Sequence, residues 1–304
     1  MDGEISESLR ALDKRWGRAG AVRFEDRYGG PVAVLTSSEG TAVVALQGAQ
    51  VLSYRPIGGS NVLWLSPVAQ LGTGKAVRGG IPICWPWFGP HPQDPKKPAH
   101  GFVRAAQWDV AGTAGRAGQA NIRFSFDARK VDPARWEHAA VVTVDIVVSD
   151  VLEIMLTTTN RGTDAIPLTQ ALHTYLAIGD AAEISIEGLD GRAYIDQLAP
   201  GQRPLQKGPI TITGEVDRIY QQAPDTVVVH DKKLKRKIRV AKKGSASTVV
   251  WNPGAEKATR LGDMGPDGYR QMVCVETANA GDDVVTLAPG KRHQLVARIL
   301  AVPA

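Results

Sequence analysis

Apolar residues in this chain come in short runs, each closed by turn-forming Gly, Pro, Ser, Asn or Asp before it can make three helical turns. Runs at 32–35, 41–46, 51–54 and 62–65 follow one another in this way, and 121–126, 141–147 and 152–158 alternate apolar with polar residues. Period-two alternation with frequent turn residues marks antiparallel strands that bury one face. Runs at 183–186, 210–212, 226–229, 238–240, 248–251, 272–276, 284–287 and 294–301 carry the pattern to the C-terminus. The best helix is at 5–16, where Ile5, Leu9, Leu12 and Trp16 fall on one face at spacings of four, three and four. The chain therefore reads as all-β, one large β-sandwich, with a barrel as the alternative because pattern alone does not fix closure. No linker, repeat or composition shift divides it, so residues 1–304 are expected to form a single domain with a helical extension at 1–20.

With 43% hydrophobic residues among 304, there is ample material for a large core. The formal charge of +5 comes from 36 basic against 31 acidic residues, mostly interspersed. One block stands apart, 232–239 followed by Lys242 and Lys243. Its odd-even pattern suits an exposed strand or hairpin with Leu234 and Ile238 turned inward, a solvated edge that discourages sheet-to-sheet association. No aromatic platform accompanies it, so nucleic acid is not an expected partner. Cys84 and Cys274 make neither a disulfide framework nor a metal cluster, and both read as buried thiols in a reducing compartment. Neither a signal peptide nor a membrane-spanning run is evident, which makes the cytoplasm the default location.

The stretch 78–104 breaks the strand pattern. Pro82, Pro86 and Pro90 forbid a long helix, while Gly79, Gly80 and Gly89 permit unusual backbone angles. Two Trp, two Phe, two His and two Arg crowd into it, a mixture that connecting loops rarely need. It reads as a pocket wall for a polar, anionic small molecule, with Arg78 and Arg104 offering planar donor forks to a phosphate or carboxylate. Stacking of both Arg on Trp85 and Trp87, or pairing with nearby acids, would be the plain structural alternative.

His173 lies at what reads as a strand end, where a backbone carbonyl ordinarily satisfies such a side chain. Glu276 adjoins an apolar run with the look of a central strand, where a carboxylate is costly unless paired or functional. There is no Walker-type loop or dinucleotide fingerprint, no His-x-x-x-His or Cys-x-x-Cys, and no Gly-x-Ser-x-Gly elbow. Acid-base work by His and carboxylate remains, with neither cofactor nor metal expected.

Six blocks, taken in order, resemble one family. They are Arg78-Gly-Gly-Ile-Pro, His100-Gly-Phe-Val-Arg104, Leu172-His173-Thr-Tyr175, Val216-Asp217-Arg-Ile-Tyr220, Trp251-Asn252-Pro253 and Gly268-Tyr-Arg-Gln-Met-Val-Cys-Val-Glu276. Together they are similar to hexose-6-phosphate mutarotases, or glucose-6-phosphate 1-epimerases, of the aldose-1-epimerase superfamily. The likeness runs from about residue 32 to 299. It implies a galactose-mutarotase-like β-supersandwich and cofactor-free interconversion of the α and β anomers of a hexose 6-phosphate; neither nucleic acid nor a membrane is an expected partner, and a monomer is expected. His173 and Glu276 match the family's catalytic pair. His100 matches a second active-site His that bonds the sugar, Asp217 a sugar-contacting Asp, and Arg78 and Arg104 substrate-binding positions, with Arg78 the first choice for phosphate. As local alternatives, His100 could brace the turn at Gly101 and Asp217 could cap a turn. Asp263 and Lys257 could reach the site or pair with each other, the insertion at 93–98 could bring Lys96 or Lys97 to the phosphate, and Trp85 and Trp87 are expected to support the loop. A non-catalytic sugar-binding relative is the other reading, which the acid-base pair disfavours.

Overall fold

The computed structural model describes residues 2–304, with side chains from Glu7 onward. Two antiparallel sheets carry the fold. One has eight strands in the spatial order Ile184–Glu187, Thr226–Asp231, Arg236–Lys243, Arg292–Pro303, Leu152–Asn160, Ala140–Val148, Gln119–Asp127 and Asp109–Arg116. The other runs Tyr194–Asp196, Val216–Tyr220, Ser247–Asn252, Met272–Asn279, Gln170–Leu172 and Ile83–Cys84, with Tyr175–Ala177 also paired to Met272–Asn279. Val229, Ile238, Val240, Leu295 and Ile299 of the first sheet share one core with Leu172, Val250, Val273 and Val275 of the second. This is the sandwich that alternation implied, closed face to face.

The seven-stranded sheet is covered on its other side as well. Cys84, Ala171, Tyr175, Ile219, Val249, Trp251 and Cys274 form a second buried cluster there. Its middle strand, Met272–Asn279, is consequently buried at every residue. That explains a run without alternation, because a strand covered on both faces has no polar side.

A four-stranded sheet, Val22–Arg27, Gly30–Thr36, Gly40–Ala45 and Val51–Pro56, and a two-stranded one, Ile166–Leu168 with Val285–Leu287, complete the β-structure. The helix α1 (Asp2–Trp16) lays Leu9, Leu12 and Trp16 against the main core. The expected place of Ile5 on that face lies outside the described side chains. Asp13 Oδ1 accepts the Phe24 amide at 2.9 Å and Trp16 O accepts the Thr113 hydroxyl at 2.5 Å, tying the helix to two sheets. No helix among the described residues is long and apolar enough to cross a membrane.

Three expectations change. Residues 62–65 form no strand, because their bonds are divided: Val62 and Trp64 pair with Tyr175 and Ala177, while the Trp64 carbonyl takes the Gly80 amide. Residues 210–212 make a single bridge to Ile186, since Pro209 brings no donor to a ladder. The basic block is no edge, for Arg236–Lys243 is paired on both sides, to Thr226–Asp231 and to Arg292–Pro303. Leu234 lies in the hairpin turn and is 44% exposed, while Ile238 is buried as expected. Two of the cations, Arg236 and Lys242, point inward. They are tolerated because acceptors await them: Arg236 donates to Ala177 O at 2.6 Å, Ser60 Oγ at 2.9 Å and Asn61 O at 3.2 Å, and Lys242 Nζ to Ser247 O at 2.9 Å. A short helix, α2 (Gly254–Leu261), follows Pro253 and is capped by left-handed Gly262.

Arg236 thus staples the hairpin to two loops beneath it, with Asp231 at 3.9 Å. Replacing it by Ala leaves the buried Asp231 carboxylate without its neighbouring cation and should cost about 3 kcal/mol in urea unfolding, whereas exposed Lys232→Ala should stay within about 0.5 kcal/mol. Equal, small effects of both would return the strand to a solvated edge.

Candidate active site

Strand register brings the two reactive side chains together. Leu172 pairs with Thr277 and Tyr175 with Cys274. The same register continued over the two residues between sets His173 opposite Glu276, a cross-strand pair on one face. His173 Nε2 lies 3.4 Å from Glu276 Oε1, and the residues are only 8% and 1% exposed. The His173 ring stacks on Tyr175, with centroids 4.8 Å apart and planes 12° from parallel, and meets the edge of Trp251 at 6.0 Å. Its amide donates to Pro82 O at 3.0 Å, so the 78–104 loop holds the backbone at this point.

That loop wraps over the pair. His100 stands 5.7 Å from His173, ring to ring, and against Phe88 at 5.0 Å. The turn behind it requires glycine, for Gly101 has φ 71° and a Cβ there would fall 1.8 Å from Trp85 O. Trp85 and Trp87 are buried and bonded through their indoles to Thr158 Oγ1 and Pro98 O, in keeping with a supporting role. Arg78 Nε donates to Asp263 Oδ1 at 2.5 Å and Arg78 Nη1 to the Tyr175 hydroxyl at 3.2 Å. Arg104 Nη2 donates to Ala99 O at 2.9 Å. Of the two alternatives for Lys257 and Asp263, pairing with each other does not occur, because Lys257 reaches Glu215 at 2.6 Å and Asp217 at 3.7 Å instead. Lys97 borders a separate cavity of about 730 Å³, lined by Trp87, His91 and Trp136 among others and by none of the six expected site residues.

Burial sets the proton affinities. It raises the Glu276 carboxyl well above the usual carboxylate range, with the Asp217 charge adding to the effect. It also lowers the His173 imidazole well below its usual value, helped by His100, Arg104 and Arg78. Between those limits the pair holds one proton, on either partner. His100 is lowered to about 3 by burial and then by Arg104 and Arg78, so it is neutral. Its Nδ1 accepts the Gly89 amide at 3.3 Å, which leaves the hydrogen on Nε2 as a donor. Glu276 Oε2 and His173 Nδ1 are buried without a protein partner.

The sequence pattern of one family, aldose 1-epimerase, matches residues 31–300. The chain belongs to the aldose 1-epimerase family. It is 37% identical over 242 residues to an Escherichia coli K12 protein provisionally named glucose-6-phosphate 1-epimerase, covering 79% of this chain and 80% of that one. A Cenchrus ciliaris protein with the same provisional name is 33% identical over 272 residues, 86% of this chain and 82% of the relative. The crystal structure of a Salmonella typhimurium protein, provisionally a mutarotase, superposes with a TM-score of 0.87 at 31% identity, covering 93% and 94% of the two chains. A galactose mutarotase-like protein of Clostridium acetobutylicum shares the fold at TM-score 0.77 and 12% identity. This aldose 1-epimerase is therefore an isomerase that interconverts sugar anomers, built on the galactose-mutarotase-like supersandwich.

All six expected residues of the epimerase lie at or near this pair. Besides the 3.4 Å contact, the charges of Arg78 and Arg104 act on His173 and that of Asp217 on Glu276. Asp263 reaches the site on Arg78, one of the two places the sequence allowed it, and two neighbours went unassigned from sequence: Tyr175 under His173, and Cys274, whose sulfur lies within 4.8 Å of the His173 and Glu276 donor atoms. Cys274 and Glu276 are two apart on a strand and so share a face, a signal legible once that strand is paired with His173.

Asp217 is pushed up to about 6 from its ordinary 3.8, chiefly by burial and then by Glu215, against the pull of Lys257. The folded epimerase thus holds this proton more tightly than the unfolded chain, a stabilisation present near pH 4 and lost as pH rises through about 6. Relative to Asp217→Asn, which cannot ionise, the wild type should lose about 2 kcal/mol between pH 4 and 7, read from urea midpoints. A pH-independent difference would mean that Asp217 titrates normally.

Proposed function

We propose that this aldose 1-epimerase acts on a hexose 6-phosphate, glucose 6-phosphate first, without a cofactor. The observation that carries the reading is a buried His–Glu pair sharing one proton, with two guanidinium groups close enough to bias it. Opening a pyranose requires a proton to leave O1 while another reaches the ring oxygen. Glu276 takes the O1 proton and His173 donates to the ring oxygen, the working arrangement being the carboxylate and imidazolium form of the one-proton pair. The C1–ring oxygen bond breaks, C1 becomes an aldehyde, rotation about C1–C2 turns its other face, and the reverse transfers close the ring. His100 Nε2–H donates to a sugar oxygen, and Asp217 accepts from a hydroxyl.

The phosphate falls to the arginines. Arg78 is already engaged by Asp263 and Tyr175, whereas Arg104 bonds a single carbonyl. That difference favours Arg104 as the principal phosphate ligand, ahead of Arg78, which the sequence alone puts first.

Glu276→Gln should lower the anomerisation rate by about a hundred-fold or more in a polarimetric assay. For the wild type, kcat/KM should stay flat across neutral pH, falling on the acid side as His173 and Glu276 both become protonated and on the alkaline side as both lose their protons. Full activity in the Gln variant would remove Glu276 from the chemistry. Arg104→Ala should raise KM for glucose 6-phosphate by about ten- to a hundred-fold, one charge-assisted contact, and leave the rate with free glucose little changed. Equal use of both sugars by the wild type would remove the phosphate from the proposal.

A further inference from the structure

The pair has a third donor beside it that ring opening does not use. Cys274 is fully buried on the same face of Met272–Asn279 as Glu276, and one ligand atom from each of His173, Cys274 and Glu276 can be chosen so that all lie within 4.8 Å of one another. Nitrogen, sulfur and oxygen in one cluster are the donors that borderline metals such as zinc take.

The spacing fits. Ligand bonds of about 2.0–2.1 Å to nitrogen or oxygen and about 2.3 Å to sulfur require tetrahedral edges of roughly 3.3–3.6 Å. His173 Nε2 and Glu276 Oε1 already stand at 3.4 Å. The sulfur has at most about 1.5 Å to close, within reach of one side-chain rotation and a small shift. Glu276 Oε2 has no protein partner to give up.

We infer that His173, Cys274 and Glu276 form a latent binding site for a thiophilic divalent cation, zinc or cobalt, whose occupation blocks the sugar. On binding, the thiol releases its proton to solvent and the carboxyl any proton it carries. The dication then balances one thiolate and one carboxylate, which makes the buried complex neutral. The metal removes Glu276 and His173 from proton transfer and fills the space of the anomeric carbon, so inhibition is competitive with the sugar. Two features make the ion exchangeable rather than resident. Arg78 and Arg104 repel a cation, and His173 Nδ1 lacks the acceptor that ordinarily orients a metal-bound imidazole.

The inhibitory consequence rests on the proposed roles of His173 and Glu276, but the binding itself is read without any sugar. The full-length protein is titrated anaerobically with Co²⁺ alone. Tetrahedral cobalt absorption with a thiolate-to-cobalt charge-transfer band is expected in the wild type and in Cys84→Ser, and should be absent in Cys274→Ser and Cys274→Ala. Zn²⁺ should then inhibit anomerisation reversibly by chelator, with at least a ten-fold higher half-inhibiting concentration in Cys274→Ser, a ligand being worth no less than an outer-shell partner. No charge-transfer band in the wild type, or one that survives Cys274→Ser, overturns the site. Should both Cys274 variants fail to fold, proton release on zinc binding to the wild type decides. Uptake with release of about two protons at pH 7, one from the thiol and one from the His173–Glu276 pair, supports a thiol ligand, and uptake with one or none rejects it.

Discussion

A carboxyl group in a strand buried along its whole length is the constraint to which the rest of this site answers. An isolated carboxylate there would cost several kcal/mol even after relaxation, so Glu276 keeps a proton unless a neighbour can take it. His173 is that neighbour, and its own burial makes it reluctant to be charged alone. Each group is stable neutral, and each can be charged only with the other. A proton moving between them changes no net charge, so on the proposed mechanism a dry site can carry out acid-base chemistry without solvating an ion.

Burial on both faces follows from topology. Met272–Asn279 is flanked by Ser247–Asn252 on one side and by Gln170–Leu172 with Tyr175–Ala177 on the other, and it has one core above and another below. Its residues divide by parity. Val273 and Val275 fill the space between the sheets, while Cys274 and Glu276 face the 78–104 loop. The same alternation that builds the core therefore aims the chemistry.

Much of this was legible in the sequence, and the gaps have physical causes. Alternation revealed 141–147 and 152–158 because each has one face to bury, and the Pro- and Gly-broken stretch at 78–104 announced a shaped loop. His173 and Glu276 drew notice singly, but nothing local records strand register, so their contact came only by resemblance. Cys274 stayed an ordinary apolar neighbour for the same reason. The basic block misled because charge usually reports exposure. Arg236 is buried against oxygens of Ser60, Asn61 and Ala177, far from it in sequence, and Lys242 against the Ser247 carbonyl five residues on, acceptors that only the folded backbone aims at them. Asp263 had Lys257, six residues before it, as one possible partner, whereas the fold gives it Arg78.

That Arg78–Asp263 contact has a mechanical side. Asp263 is held twice: its carboxylate meets Arg78, and its backbone carbonyl accepts the Ser66 hydroxyl at 2.6 Å. The second bond does not involve the arginine. An anion competing for Arg78 therefore has only to turn one carboxylate about its own side-chain bonds, while the segment after α2 stays moored. Exchange of partners at this corner is a rotamer event on the scale of nanoseconds rather than a loop opening. A small free anion gains little by displacing an internal counter-ion of equal charge, whereas one tethered to a sugar already seated on the pair arrives at high local concentration. On the proposed reading of the substrate, the acid on Arg78 would then filter what docks there.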